Sequence, residues 1–187
     1  MCIFIDLFSR RVVGWTVSSI IDRQLAIAAF RNAVANRRPR QRLVIHTDRG
    51  CQYTSWDFRR EAASIGAIQS MSRPGTPYDN ACAETFFKAL KVECIDRAHF
   101  RSRKDASDAI AEYLLFYNRR RIHQSLGYLT PVAFEQMFAS GRPTVASYTA
   151  TSGKRKVVFM VPCKPITMDG VTYTSLAVSY DNDAMAE

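Results

Sequence analysis

The stretch LVIHTDRG, residues 43–50, decides how the rest of the sequence is interpreted. It opens with consecutive branched or apolar residues, which are typical of a strand buried on both faces of a sheet. The polar residues that follow indicate that this strand opens into a loop. Asp48 is therefore predicted at the carboxyl-terminal edge of a buried strand.

The segments on either side carry further strand and helix patterns. Alternating, β-branched or apolar patterns predict strands over residues 2–5, 11–19 and 67–71. Apolar residues three and four apart predict helices over residues 23–36, 55–65 and 104–118, and one that starts at residue 79 or 80. Strands that alternate with helices after an initial hairpin indicate an α/β domain with a mixed sheet flanked by helices.

The character of the sequence changes after residue 138. Residues 141–153 are rich in Ser, Thr and Ala, and residues 156–161 and 171–180 resemble two strands around an Asp169-Gly170 turn. We therefore predict a core domain over residues 1–139. Residues 140–187 are predicted to form a linker and an unassigned β-rich tail that is foreign to the core.

The composition narrows the class of protein. Against 17 Asp and Glu, the 187 residues include 26 Lys and Arg, so the formal net charge is +9. This balance favours an anionic partner, nucleic acid first, although ribosomal and other basic proteins share it. The five cysteines contain no Cys-x-x-Cys pair, which argues against a disulfide framework or a zinc knuckle. Without an apolar run of ~18 residues or a signal peptide, we expect a soluble, cytoplasmic protein.

Two carboxylates are the best candidates for metal ligands. Asp48 at a strand end and Glu84 one turn into a helix are separated by 35 residues. Metal-assisted phosphoryl transfer needs oxygen ligands from separate elements, arranged around two ions ~3.5–4 Å apart. Lys88 and Lys91 fall within about 40° of Glu84 around the helix, so all three share one rim. The pattern suits a metal site that contacts a phosphate backbone, and a solvated Glu–Lys pair is the alternative.

Three segments resemble motifs of insertion-sequence transposases of the third insertion-sequence family, which are kin to retroviral integrases. They are HTDRGCQYTS (46–55), SRPGTPYDNACAETFFKALKVE (72–93) and YNRRRIHQSLGYLTPVAFE (117–135). The motifs occur in the family's order, with its characteristic interval between Asp and Glu, and the match covers about residues 1–138. The resemblance implies a ribonuclease-H-like fold and a site of two Asp and one Glu that holds Mg²⁺ or Mn²⁺.

The same resemblance assigns roles to the matching residues. Asp48 matches the second catalytic aspartate and Glu84 the catalytic glutamate, so both are implied to be catalytic residues and metal ligands. Lys91 resembles a DNA-contacting lysine of the family, and Lys88 is similar.

Further motif residues are implied to support the site. Asp79 and Asn80 match an Asp-Asn pair that precedes the helix, and capping of that helix is the alternative to a direct role in catalysis. Four basic side chains are implied to approach DNA phosphates or to position the active-site helix, and a solvated basic turn is the alternative. These four are Arg119, Arg120, Arg121 and His123.

The sequence departs from the family pattern at its start. The family's first catalytic aspartate lies in a Trp-x-x-Asp-Ile-Thr-Tyr-like strand, well before the segment that Asp6–Trp15 resembles. Asp6 matches the turn aspartate of that segment, so we expect it to bond the backbone of a turn. The chain is therefore expected to be truncated at its N terminus and to lack the family's first strand and one metal ligand.

Two functions follow from the resemblance. The first is a transposase catalytic core that performs metal-dependent cleavage and strand transfer at the ends of a mobile element. The second is a catalytically inactive DNA-binding remnant that interferes with an intact transposase. A general ribonuclease-H-type hydrolase, which would cut RNA–DNA hybrids without regard to terminal repeats, fits the three motifs less well.

The resemblance also implies partners and a location. The expected partners are terminal inverted repeats, target DNA, further copies of the chain in a homo-oligomer on DNA, and an upstream helix-turn-helix protein. No membrane is expected among them. The location implied is the bacterial cytoplasm, at the nucleoid when DNA is bound.

Overall fold

The computed structural model describes residues 1–39, 43–72 and 81–140, together with the backbone of short strands between residues 156 and 181. The first four strands are β1 (Cys2–Asp6), β2 (Val12–Thr16), β3 (Leu43–Thr47) and β4 (Ile68–Met71). The helices are α1 (Arg23–Arg37), α2 (Cys51–Thr54), α3 (Trp56–Ser64), α4 (Ala81–Glu93), α5 (Arg103–Arg119) and α6 (Pro131–Ala139). The later strands are β5 (Lys156–Val157), β6 (Phe159–Met160), β7 (Ile166–Met168), β8 (Val171–Tyr173) and β9 (Ser179–Asp181).

The predicted hairpin at the start of the chain is confirmed. Strands β1 and β2 pair antiparallel, with Phe4 opposite Gly14. A Cβ at Gly14 would lie 2.5 Å from the backbone oxygen of Ala29 and 2.5 Å from the backbone nitrogen of Ala33. Glycine at this position therefore lets α1 pack directly against β2.

The sheet is mixed, as predicted. Strand β3 pairs parallel with β4, while β6 lies between β1 and β3, antiparallel to β1 and parallel to β3. Strand β9 also pairs with β3, through Leu43 and Val44, and β5 pairs with β9. Segments far apart in sequence thus meet in one sheet.

Helices cover both faces of this sheet. Because side chains alternate along a strand, Cys2 and Phe4 of β1 pack with α1, α2 and α3, whereas Ile3 and Ile5 pack with α4 and α5. The two buried clusters make a three-layer arrangement in which α4 lies on the Ile3 side.

The burial of β3 differs from the prediction. Leu43, Ile45 and Thr47 are buried, but Val44 and His46 are only half-buried. A run of branched residues predicted two covered faces, whereas one face of β3 is fully covered and the other only partly. That tertiary arrangement is not encoded in the local pattern.

Two shorter helices were not predicted from the sequence. Helix α2 begins at Cys51, three residues after Asp48, and α6 begins at Pro131. The hydroxyl of Thr130 accepts a hydrogen bond from the backbone nitrogen of Ala133 at 3.1 Å. A proline in the first turn and a threonine cap are the signals that could have identified α6.

The last third of the chain contributes strands to two sheets. Strands β7 and β8 pair antiparallel, with Ile166 opposite Tyr173, while the predicted turn at Asp169-Gly170 lies outside the described residues. The segment predicted to pair with β8 instead contains β5 and β6, which join the main sheet. The domain boundary near residue 140 stays a prediction. In the described part of the chain, no helix combines the length and apolarity of a membrane span.

Candidate active site

Asp48 lies one residue beyond β3, as predicted. Its Oδ1 accepts a hydrogen bond from the backbone nitrogen of Gly50 at 2.8 Å, and the residue is half-buried. A Cβ at Gly50 would lie 2.9 Å from the same Oδ1, so glycine leaves room for this compact turn. The turn fixes the carboxylate at the end of the strand.

Neighbouring side chains join the ends of β3 and β4. His46 makes two ring-nitrogen contacts, 3.0 Å from Nδ1 to the hydroxyl of Ser70 and 3.1 Å from Nε2 to that of Ser72. Arg49 donates to the backbone oxygen of Ser72 at 3.1 Å. The loop that follows Asp48 is therefore attached to the adjacent strand.

Glu84 lies in the first turn of α4 and is half-buried. The spacing of its apolar residues predicts a buried stripe of five side chains: Ala83, Phe86, Phe87, Leu90 and Cys94. The first four are buried, whereas Cys94 lies one residue beyond the helix and is half-buried. Lys88 and Lys91 are exposed, one and two turns beyond Glu84 on the same rim. This rim combines one carboxylate with two ammonium groups that solvent can reach.

Asp79 and Asn80 lie outside the described residues, as does the loop that precedes them. Both the capping role and the direct role of this pair stay predictions. The shared metal-binding role of Asp48 and Glu84 likewise stays a prediction.

Asp6 occupies the turn between β1 and β2, as predicted. Its Oδ1 accepts hydrogen bonds from the backbone nitrogens of Phe8 at 2.9 Å and Ser9 at 3.1 Å. Its Oδ2 lies 2.8 Å from a guanidinium nitrogen of Arg37, which also pairs with Glu135 of α6. Burial raises the pKa of Asp6 to about 6, against the opposing effect of Arg37. The buried carboxylate is thus part of the turn and of an ion pair with half-buried Arg37.

The four basic residues at the end of α5 and just beyond it divide into two groups. Arg119 and Arg120 are exposed and stay predicted contacts to DNA. Arg121 instead forms an ion pair with Glu93, and burial followed by the charge of Arg121 lowers the pKa of His123 to about 4. The imidazole is therefore neutral near pH 7. For Arg121, this geometry favours the positioning of α4 over a contact to phosphate.

The partner of Arg121 in this ion pair is Glu93, which sequence reasoning did not single out. Glu93 accepts from Arg121 at 2.8–3.1 Å and from the hydroxyl of Tyr113 at 3.0 Å. Glu93 ends the second motif and Arg121 lies in the third, but the two are 28 positions apart. No helical or strand spacing pairs residues at that distance, so only the packing of α4 on α5 reveals the contact.

The donor set suits a hard divalent ion. Asp48 and Glu84 offer carboxylate oxygens, the ligands that Mg²⁺ and Mn²⁺ take in proteins. Within the described ranges, no cluster of three or more His, Cys, Asp or Glu side chains has the arrangement of a metal site. The two candidate ligands come from separate elements, a strand end and a helix.

Family models match the region that contains these residues. An integrase core domain model matches residues 1–77, and a second integrase core domain model matches residues 66–131. Between them they cover β1 to α5 and the start of α6. Both Asp48 and Glu84 lie within the matched residues.

Curated relatives point to a narrower group. The transposase for insertion sequence element IS904 of Lactococcus lactis is 42% identical over 137 residues, 73% of this chain and 54% of the relative. Transposase InsF for insertion sequence IS3A of Escherichia coli is 42% identical over 136 residues, 72% of this chain and 47% of the relative. The chain spans about half the length of these relatives.

A solved structure supports the fold. The cryoEM structure of the simian T-cell lymphotropic virus intasome in complex with PP2A regulatory subunit B56 gamma contains a chain that superposes with a TM-score of 0.60. The two chains are 18% identical, and the match covers 93% of this chain and 59% of that one. At this identity the likeness supports the fold alone.

The mixed sheet, its helical layers and this structural match define a protein with a ribonuclease-H-like fold. The chain belongs to the integrase core family, and it is similar to insertion-sequence transposases such as those of IS904 and IS3A. The resemblance seen in the three motifs is therefore confirmed. Proteins of this family generally use a divalent metal ion.

Proposed function

We propose that this chain is the strand-transfer core of an insertion-sequence transposase. It would cleave phosphodiester bonds at the ends of a mobile element and join the freed ends to target DNA. The proposal is supported chiefly by two motif carboxylates, Asp48 at the end of β3 and Glu84 in the first turn of α4. Both positions lie within the residues that the integrase core domain models match.

Asp48 and Glu84 would hold Mg²⁺ or Mn²⁺. A divalent ion bound there supplies activation of the attacking oxygen and neutralisation of charge on the leaving oxygen. The turn around Gly50 orients Asp48, since the backbone nitrogen holds one carboxylate oxygen. The Glu84 side chain is directed by the packing of α4, whose opposite side is buried against α5 and β1.

The DNA would be held by the basic rim of α4. Exposed Lys88 and Lys91 follow Glu84 on the same rim, one and two turns further along α4, and would contact phosphates beside the scissile bond. Arg119 and Arg120 would extend this basic surface, in keeping with a formal net charge of +9.

The reaction would proceed in two displacements at phosphorus. In the first, a water oxygen attacks the phosphorus and the 3′-oxygen leaves, taking up a proton to become a 3′-hydroxyl. In the second, that hydroxyl attacks a target phosphate, a new phosphodiester bond forms and the target's own 3′-oxygen leaves. Both nucleophiles are activated oxygens of water or DNA, so no covalent bond between protein and DNA is required.

The partners follow from this reaction. Terminal inverted repeats and target DNA are the substrates, and two element ends would be held by a homo-oligomer. A helix-turn-helix partner would recognise the repeats. Action on a bacterial chromosome would place the protein at the nucleoid, in the cytoplasm.

A cleavage assay on a terminal-repeat duplex tests the proposal. Two of the three acidic residues implied by the resemblance are present in this sequence, so any nicking of the duplex in Mg²⁺ or Mn²⁺ should depend on both of them. Asp48→Asn and Glu84→Gln should each lower the rate of that nicking by about 10²-fold or more because a ligand is lost. Binding of the duplex, measured by gel shift, should change much less. Glu112→Gln, which alters an exposed carboxylate on α5 in the same way, is the matched control and should cleave normally.

Other outcomes identify the alternatives. Binding with steep salt dependence but no product in either metal would overturn the catalytic proposal in favour of an inactive DNA-binding remnant. Cleavage of RNA–DNA hybrids regardless of terminal repeats would overturn it in favour of a general hydrolase.

A further inference from the structure

Two polar contacts lie on the side of α4 that faces away from Glu84. With 3.6 residues per turn, Cys82 is about 160° and Glu93 about 180° around the helix from Glu84. Cys82 and Glu93 are themselves about 20° apart and about 16 Å apart along the axis. They therefore lie at the two ends of one side of α4, opposite the rim formed by Glu84, Lys88 and Lys91.

The contact at the carboxyl-terminal end is a forked ion pair. The Nε of Arg121 lies 2.9 Å from Oε2 of Glu93, and its Nη2 lies 2.8 Å from Oε1. Tyr113 of α5 donates to the same carboxylate, and the guanidinium lies 5.8 Å from the ring centre of Tyr117. The hydrogen bond from Arg121, more than any other cause, lowers the pKa of Glu93. The last turn of α4 is thus fixed to the end of α5.

The contact at the amino-terminal end comes from the hairpin. A guanidinium nitrogen of Arg10 donates to Sγ of Cys82, in the first turn of α4. Arg10 has a φ of 61°, in the left-handed region that non-glycine residues seldom adopt. The turn conformation that directs this side chain toward α4 is therefore a specific one.

We propose that Arg10 and Arg121 are positioning residues that fix the rotation of α4 about its axis and so direct Glu84. What Glu84 does once directed rests on the proposed function. The rotation itself is a property of the fold, because both contacts join α4 to elements that precede or follow it in the chain.

Apolar packing alone specifies this rotation less sharply. The stripe of α4 packs through aromatic rings, with Phe86 and Tyr117 4.9 Å apart between ring centres. Such contacts tolerate small shifts, whereas a forked ion pair has one favourable geometry. A rotation of about 20° at a radius of about 5 Å moves a carboxylate by about 2 Å. Displacements of about 1 Å in an active site lower rates by about 10²-fold.

The rate at which native cysteines are alkylated reports a change in the rotation of α4, and the measurement does not require catalysis. Cys82 is the probe, exposed Cys51 is the fully reactive reference, and buried Cys2 reports unfolding. The folded chain is treated with iodoacetamide and the modification of each cysteine is followed by mass spectrometry. Glu93, the partner of Arg121, lies about 16 Å from Cys82 along the axis of α4, so a change at Cys82 in Arg121→Gln reports a movement that extends along the helix.

The expected result is a selective loss of protection. Arg121→Gln should raise the alkylation rate of Cys82 about fivefold or more, with the rates of Cys2 and Cys51 unchanged. Arg121→Lys retains the positive charge but cannot form the forked pair, so its Cys82 alkylation rate should lie between those of the native chain and of Arg121→Gln. Arg31→Gln breaks another forked pair, with Glu61, at 2.6 and 2.9 Å, and should leave Cys82 protected.

Cleavage of the terminal-repeat duplex adds the functional consequence. Arg121→Gln should lower kcat about tenfold or more with little change in KM, because DNA still binds but Glu84 is displaced. Arg31→Gln should leave both constants unchanged.

The outcomes separate this inference from the proposed function. Unchanged protection of Cys82 in Arg121→Gln, with Cys2 still protected, overturns the positioning role whether or not the chain cleaves DNA. Simultaneous exposure of Cys2 and Cys82 overturns it too, since Arg121 would then support the whole fold. If the alkylation of Cys82 alone increases in a chain that never cleaves DNA, the result supports the positioning role of Arg121 and contradicts only the proposed function.

Discussion

At the scale of single residues, burial and charge compete at Asp6. Two turn nitrogens and Arg37 stabilise its ionised form, yet removal from water raises its pKa to about 6. Glu135, which shares Arg37, has a lowered pKa because hydrogen bonds from Arg37, Ser9 and Arg11 outweigh its burial. Because one pKa is raised and the other lowered, the contributions of the two carboxylates to stability change with pH in opposite directions.

We predict that Asp6 makes the protein less stable as the pH rises from about 4 to about 6. The folded chain holds this proton to higher pH than the unfolded chain, so the stabilisation is fully present below the ordinary pKa and lost above the folded one. The difference in unfolding free energy between the native chain and Asp6→Asn should shift by up to about 3 kcal/mol across that range. Urea unfolding at several pH values measures it, and a difference independent of pH would contradict the assignment. Asp96→Asn, at an exposed aspartate, is the control.

We predict that Gly14→Ala destabilises the fold by about 2 kcal/mol or more, because the new methyl group would meet the backbone of α1 at 2.5 Å. Gly66→Ala provides the comparison, since its Cβ would meet nothing within 4 Å and only the positive φ of 69° opposes it. That strain costs about 1 kcal/mol. Urea unfolding of both variants measures the two losses of unfolding free energy. A smaller loss for Gly14→Ala than for Gly66→Ala would contradict the prediction, because it would show that α1 shifts away from β2 at little cost.

At the scale of elements, the sequence predicted what depends on local periodicity. The stripe of α4, the hairpin and the placement of Asp48 after a strand all follow from spacing within a few residues, and the structure contains them. The contact between Glu93 and Arg121 and the insertion of β6 between β1 and β3 depend on residues far apart in sequence. A single sequence has no local signal for such pairings.

One side chain joins two elements in a way that can be tested. The amide of Asn118 on α5 accepts from the backbone nitrogen of Val12 at 2.9 Å and donates to its backbone oxygen at 2.9 Å. We predict that Asn118→Ala costs about 1–3 kcal/mol and speeds amide exchange at Val12, because two buried backbone groups lose their partner. Asn32→Ala removes an exposed bond to the oxygen of Trp15 and should cost less. Equal effects, measured by urea unfolding and hydrogen exchange, would contradict this role.

At the scale of the whole molecule, the excess of positive charge suits a long anionic partner. The net charge of +9 is spread over a chain whose helices carry exposed lysines and arginines, so charge alone does not locate the DNA. The rim of α4 is distinguished by having Lys88 and Lys91 beside Glu84. Its contribution to binding can be separated from the general field by salt dependence.

We predict that replacing both Lys88 and Lys91 by alanine weakens DNA binding and reduces the slope of log K against log salt by about 2. Each lysine that contacts a phosphate releases about one counterion. Gel shifts or fluorescence anisotropy over a range of salt concentrations measure the slope. Lys104→Ala on α5, an exposed lysine paired with Asp108, is the control and should leave the slope unchanged. An unchanged slope in the double variant would show that the DNA does not contact this rim of α4.

The central claim is that Asp48 and Glu84 share divalent ions, and a crystal structure with Mn²⁺, using its anomalous signal, tests it most directly. We predict a manganese peak about 2 Å from a carboxylate oxygen of each residue. A peak bound to neither, or carboxyl groups more than about 10 Å apart, would contradict the claim, because two ions ~3.5–4 Å apart could not bridge that gap.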